Sequence, residues 1–211
     1  MKNKTTIFLV RHGQTEWNVL HKLQGHQDSP LTELGIKQAQ WLGESLQNEP
    51  IDVIYSSSSP RARKTAEIIK GTREIDIYES DDLKEIHLGV WEGKRQDEVK
   101  GLSPDQFQNF WHDPAEFQVQ HSETFKDVSN RALHQLHEMI NMNQGRSILI
   151  VTHTVVVKLL MAYFENRPMK DIWNPPYIYP ACLCKIELEL NQSKILLHGD
   201  ISHYKESPVL G

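Results

Sequence analysis

The sequence predicts an α/β protein, in which a mostly parallel sheet is covered by helices on both faces. Three observations carry this. Apolar runs of strand length recur at Ile7–Val10, Asp52–Ser56 and Ser147–Thr152. Amphipathic helical stretches lie between and after them. Each run also stops abruptly at charged or polar residues, where an open α/β sheet presents its ligand-binding edge.

The 211 residues are enough for one such domain, 1–211, with a sizeable core. Composition is ordinary, with 38% hydrophobic and 24% charged residues and a formal net charge of −5. That mild acidity argues against a nucleic-acid partner, which calls for a basic face, so any anion site must come from local placement of arginines. No run approaches the roughly 18 apolar residues of a membrane span. Met1-Lys2-Asn3-Lys4 leads directly into a strand with no apolar signal region, so a cytoplasmic location is expected. Cys182 and Cys184 would share one strand face, too far apart for a comfortable bridge, and are expected to be reduced structural thiols. No internal repeat or low-complexity segment occurs.

Ile7–Val10 is too short for a globular helix and ends at Arg11, His12 and Gly13. Gly13 permits a close backbone approach that a side chain would block. Taken alone, the charged pair is equally compatible with a plain strand end facing water. The stretch from Val19 to Pro30 lacks periodicity and reads as a loop over that strand end. Thr32 precedes a helix whose Leu34, Ala39, Leu42 and Leu46 share one face, ending near Asn48 and Pro50. The strand Asp52–Ser56 opens into a helix with Ser59 as N-cap, Pro60 in the first position and Gly71 as the stop. Arg61 and Arg63 occupy its first turn, where the helix dipole disfavours cations and favours a bound anion. Such a local conflict marks a functional site.

Ile75–Tyr78 is a short strand candidate. Glu85 and His87 come next among apolar residues. Ser103-Pro104-Asp105-Gln106 has capping-box form and starts a helix with Phe107, Phe110 and Trp111. Asp113–Ser122 reads as a loop. A long amphipathic helix from about Thr124 to Met142 carries Phe125, Val128, Ala132, Leu136, Met139 and Ile140 on one stripe. His134 and His137 lie three apart on it with no matching acid or cysteine, as exposed helix residues do. Ser147–Thr152 ends at His153, before a helical run from Val155 to Asn166. A terminal strand pair, Cys182–Leu190 and Lys194–His198, is joined near Asn191. The helix-rich stretch of about 94–143 is expected to be an insertion capping one end of the sheet.

The strand ends thus present Arg11, His12, Arg61, Glu85 and His153, and this set suits phosphoryl transfer. A neutral imidazole is nucleophilic. Guanidinium forks match phosphate oxygens. A carboxyl whose pKa is raised donates well to a leaving alkoxide. Two arginines and a second imidazole can stabilise the transferring group, so neither metal nor other cofactor is called for.

Leu9-Val-Arg-His-Gly-Gln-Thr-Glu-Trp-Asn18 resembles the signature of the histidine phosphatase superfamily, also called the phosphoglycerate-mutase-like family. Further matches occur in order along the chain: Ser29–Gly35, Tyr55-Ser-Ser with Arg61-Ala and Thr65-Ala, Glu85 with Gly89-Val-Trp-Glu-Gly, and Val151-Thr-His153. The length, the Glu85–Gly93 wording, Asn174–Tyr179 and Asp200–His203 point to its bacterial broad-specificity (PhoE-like) phosphatase branch. The resemblance implies a three-layer α/β/α sandwich and a metal-independent phosphomonoester hydrolase. His12 would become a phosphohistidine; Arg11, Arg61 and His153 would bind the phosphoryl oxygens; Glu85 would donate the proton and later activate water. Asn18 matches a phosphate-pocket position, and Gln24 with Gly25 would complete the rim. Arg63 matches no catalytic position and is read as structural. Thr154 stands where the family has glycine, and its backbone amide could still hold phosphate. Lys158 replaces an arginine of some members.

Two other readings remain. A phosphoglycerate mutase would use the same phosphohistidine with a bisphosphoglycerate primer, but members of that kind carry a paired-arginine insertion. Between Arg95 and Arg131 this chain has no arginine and offers Phe107, Phe110, Trp111 and Phe117 instead. That cap suits a substrate with an apolar moiety; an α-ribazole phosphate or a sugar phosphate also falls within the phosphatase reading. A degenerate phospho-ligand binding protein would not need both nucleophile and proton donor. The expected partner is a small phosphomonoester, with a homodimer left open.

Overall fold

In the computed structural model, which describes residues 4–190 and 192–207, six strands form one sheet. They are β1 (Lys4–Arg11), β2 (Val53–Ser57), β3 (Ile77–Ser80), β4 (Ser147–Thr152), β5 (Leu183–Glu189) and β6 (Gln192–Asp200), in the order β3-β2-β4-β1-β5-β6. Pairings β1–β4, β2–β4 and β2–β3 are parallel; β1–β5 and β5–β6 are antiparallel. The sheet is therefore mixed, parallel through its core with an antiparallel hairpin on one edge. Asn191, the expected hairpin turn, and Met1–Asn3 lie outside the described residues.

The apolar run in β1 explains the layering. Successive strand residues point to opposite faces. Ile7 and Leu9 enter one core, Phe8 and Val10 the other, and all four are fully buried. Burying each contributes about 1.5–3 kcal/mol. On the Phe8 side lie α2 (Glu33–Ser45) and α3 (Pro60–Lys70); on the Ile7 side lie α6 (Phe125–Met142) and α7 (Thr154–Glu165). The result is the three-layer sandwich.

Helix boundaries obey local chemistry. Thr32 Oγ1 accepts the Gly35 N–H at 3.0 Å, and Thr124 forms a full capping box with Asp127. Gly71 ends α3 at φ +56°, a conformation that favours glycine. Ser59 and Ser103 occupy N-cap positions, but neither side chain makes the capping bond. Between the first strand and the expected loop lies a one-turn helix, α1 (Glu16–Val19), capped by Thr15 and Asn18. Four residues are too few to show a period.

Within the 94–143 stretch, α4 (Gln96–Leu102) and α5 (Pro104–His112) precede a 3₁₀ turn at Pro114–Glu116. Phe110 and Trp111 of α5 reach the cavity at the carboxyl ends of the strands. Helix α6 instead belongs to the sandwich. Its buried stripe, Phe125, Val128, Ala132, Leu136 and Met139, shares a core with Ile7, Ile148 and Ile150. Cys182 and Cys184 are buried free thiols in the same core.

Candidate active site

The chain leaves β1 through a backbone contact too close for side chains. The His12 N–H reaches the Thr152 carbonyl at 2.9 Å, and the Gly13 N–H reaches Thr65 Oγ1 at 3.0 Å. A methyl group on Gly13 would stand 2.4 Å from the Gly35 carbonyl oxygen, and one on Gly35 would stand 2.0 Å from that of Gln14. This packing fixes the turn that carries His12. The His12 Nδ1 lies 2.7 Å from its neighbour's carbonyl, Gly13 O. A carbonyl can only accept, so Nδ1 carries the ring proton and Nε2 keeps its lone pair. Burial, then the Arg61 and Arg11 charges, hold the His12 pKa well below the ordinary histidine value.

Arg61 enters from the first turn of α3, with its side chain only 1% exposed. Nη1 donates to Gln27 O at 2.8 Å and Asp28 Oδ1 at 2.9 Å, and Nη2 donates to Gly25 O at 2.8 Å. Arg11 Nη1 donates to Ile178 O at 2.7 Å. His153 is fully buried, its ring centroid 5.1 Å from that of His12. Its Nε2 lies 2.8 Å from Ser57 Oγ, which already accepts the Ser59 N–H and is free to donate its own proton. With Ser57 donating to Nε2, Nδ1 of His153 bears the hydrogen.

Arg11 Nε, Arg61 Nε and His153 Nδ1 are all buried without a protein partner. Folded proteins satisfy nearly all buried polar groups, and each exception needs a cause. Three unpaired donors gathered around one imidazole are the features of an anion site.

Glu85 faces this group across the cavity. Its Oε1 accepts the Ile86 N–H at 3.0 Å, and the Val155 N–H at the start of α7 lies 3.2 Å from both oxygens. Those amides and the two arginines favour the carboxylate, but burial outweighs them and raises the pKa. Burial thus moves Glu85 toward holding a proton and His12 toward lacking one.

Arg11, His12, Arg61, Glu85, Asn18, Gln24, Gly25 and Thr154 all line one cavity of about 390 Å³, and the His153 ring stands edge-on to that of His12. Their contacts differ. Asn18 Oδ1 is taken by the Thr15 N–H and hydroxyl, leaving its NH₂ toward the cavity. The Gln24 amide is spent within the loop, donating to Thr15 Oγ1 at 2.8 Å and accepting from Ser29 Oγ at 3.2 Å. Gly25 contributes the carbonyl that holds Arg61, at φ +54°. Thr154 is the first residue of α7 and half-buried. Leu23, Phe110, Trp111 and Trp173 make the wall apolar, and the Trp173 indole donates to Phe110 O at 2.6 Å.

Arg63 is half-buried and pairs with Glu67 and Glu79. His134 and His137 lie on the solvent face of α6. Sequence reasoning missed Ser57, Trp173 and the weight of Lys158, which lines the cavity one helical turn beyond Thr154. Its ammonium donates to Asn174 O and Pro176 O at 2.7 and 2.8 Å, and burial lowers its pKa to about 8. A lone lysine in an otherwise apolar helix is the available signal. Among the described residues no helix is long and apolar enough to cross a membrane.

Comparison with known proteins gives one consistent picture. Residues 7–201 match the profile of the histidine phosphatase superfamily (branch 1). The solved structure of YhfR from Bacillus stearothermophilus superposes with a TM-score of 0.92 at 45% identity, covering 94% of this chain and 98% of that one. The uncharacterized phosphatase PhoE of Bacillus subtilis is 30% identical over 94% of this chain and 96% of its own. Phosphoserine phosphatase 1 of Hydrogenobacter thermophilus is 31% identical, over 80% of each.

Proposed function

The chain belongs to the histidine phosphatase superfamily and is a phosphatase; from that premise we propose that it hydrolyses small phosphomonoesters through a phosphohistidine at His12, without a metal ion. The observation that carries this reading is the ring of unpaired donors, Arg11 Nε, Arg61 Nε and His153 Nδ1, around an imidazole whose Nε2 lone pair is left free.

Phosphate occupies that ring, and the guanidinium groups and His153 hold its nonbridging oxygens. His12 Nε2 attacks phosphorus opposite the leaving group. As the P–O bond breaks, the oxygen takes the Glu85 proton and departs as an alcohol. The Glu85 carboxylate then draws a proton from water, whose oxygen attacks the phosphohistidine. Inorganic phosphate leaves, His12 recovers its lone pair, and Glu85 is protonated again. The first step starts from the protonation states that burial favours, a neutral His12 and a protonated Glu85.

The apolar wall of Leu23, Phe110, Trp111 and Trp173 favours substrates with a hydrophobic moiety. A mutase would need cations for a second anionic group. Arg95, the arginine at the start of α4, turns to Asp97 at 3.1 Å and does not line the cavity. Lys22 and Lys158 are the lysines there.

The test uses p-nitrophenyl phosphate. Turnover should be undiminished by a chelator and abolished by His12→Ala, and wild type but not the variant should form an acid-labile, alkali-stable phosphoenzyme. Strict dependence on added metal overturns the mechanism. Conversion of 3-phosphoglycerate that appears only with bisphosphoglycerate would favour the mutase.

A further inference from the structure

One arginine outside the cavity has every donor committed, and three of its bonds go to the segment that delivers Glu85. Arg131 projects from α6 with its side chain 16% exposed. Its Nε and Nη2 grip the Glu123 carboxylate, both at 2.8 Å. Nη1 donates to Asp82 O at 2.8 Å and Lys84 O at 2.7 Å, and Nη2 also reaches Glu85 O at 3.0 Å. All five N–H groups of the guanidinium are thereby used. The carbonyl that Arg131 skips, Leu83 O, accepts Thr152 Oγ1 at 2.6 Å. Thr152 is the residue before His153. His26 Nε2 lies 2.9 Å from Glu85 O, next to the loop that holds Arg61. Four consecutive carbonyls are therefore tied down from outside their own segment. The Glu85 side chain itself has only two amides to orient it, Ile86 and Val155.

We propose that Arg131, held by Glu123, is a positioning residue that sets where the Glu85 carboxyl meets the leaving oxygen. The proposal rests on the reading of Glu85 as proton donor. A lysine here keeps the charge but cannot fork across several carbonyls. The 82–85 segment would then shift. A displacement near 1 Å costs on the order of 100-fold in a step that depends on geometry. In the phosphorylation step only poor leaving groups feel that loss, because p-nitrophenolate departs with little help from an acid; the later hydrolysis of the phosphohistidine is common to all substrates.

The test compares Arg131→Lys, Arg131→Ala and Glu85→Gln on p-nitrophenyl phosphate and hexyl phosphate. In Arg131→Lys, kcat/KM, which reports phosphorylation and not the shared hydrolysis step, should fall roughly 30- to 100-fold for hexyl phosphate, against less than about threefold for p-nitrophenyl phosphate. Millimolar guanidinium should restore part of the hexyl phosphate activity of Arg131→Ala. Should both Arg131 variants fail to fold by circular dichroism, Glu123→Gln, which weakens the grip on the guanidinium, must show the same split. If Glu85→Gln separates the two substrates and the Arg131 or Glu123 variants lose both equally, or neither, the positioning role is overturned. If Glu85→Gln fails to separate them, the proton-donor reading and this proposal fall together.

Discussion

Replacing His12 with asparagine removes an imidazole that the fold holds neutral, and the consequence for stability can be worked out in advance. The ordinary histidine pKa is 6.5, and in the folded chain burial and the flanking Arg61 and Arg11 push that of His12 well below it. Below pH 6.5 the unfolded chain takes up a proton at this position that the folded chain refuses. Stability therefore falls as pH drops from 6.5 toward the folded value. From pH 7 to pH 5 one such histidine costs up to about 2 kcal/mol, at about 1.4 kcal/mol per pH unit once the unfolded side chain is fully protonated. His153, His26, His198 and His203 are shifted the same way, so the wild-type total reports on all of them. The difference between proteins isolates His12. Urea unfolding of wild type and His12→Asn, at pH 7 and pH 5 in buffers free of phosphate, should show the variant losing less, by up to about 2 kcal/mol. Equal losses would mean that His12 titrates in the fold as it does in the unfolded chain, and the reading that burial and the two arginines hold it neutral would be refuted.

The same geometry sets two further outcomes. Gly13→Ala drives a methyl to 2.4 Å from Gly35 O, while a methyl on Gly101 of α4 meets nothing within 4 Å. The first substitution should cost about 1–3 kcal/mol and displace the carbonyl that orients His12, with at least a tenfold loss of kcat; Gly101→Ala should leave activity intact and stability equal or higher, as thermal melts and turnover will show. The pH profile of kcat/KM should be displaced to acid. It should rise through a pKa below 6.5, as His12 loses its proton, and fall through one above 4.5, as Glu85 loses its own. Glu85→Gln should remove the alkaline limb alone.

The sequence makes some of these features plain and hides others for physical reasons. Strands buried on both faces read as continuous apolar runs, so Ile7–Val10 and Ser147–Thr152 stand out. The residues just beyond them, among them His12 and His153, then fall at the binding edge without further information. Thr32, Gly71 and Thr124 mark helix ends because their effect is local. The membership of α6 in the sandwich is not legible, since an amphipathic stripe says that a face is buried but not against what. Arg131 is silent in the sequence for a related reason. Three of its five bonds go to backbone carbonyls, which every residue has and no motif records. Trp173 reaches the cavity only through the loop that ends at β5, a long-range placement that periodicity cannot express.

The position of β1 has a consequence for how the chain comes to life. It is made first, yet in the sheet it is flanked by β4 and β5, pairing Thr6 with Ser147 and Val10 with Leu183. During synthesis, Ile7, Phe8, Leu9 and Val10 must wait, with both edges unpaired, until β4 and β5 have emerged. Pairings this distant in sequence form slowly, and an apolar strand left open meanwhile is an invitation to aggregation. The residue that leads the sequence into its chemistry, His12, is thus among the last to be seated. Partial products of translation can hold helices and even the β2–β3 pair, but none can hold the pocket.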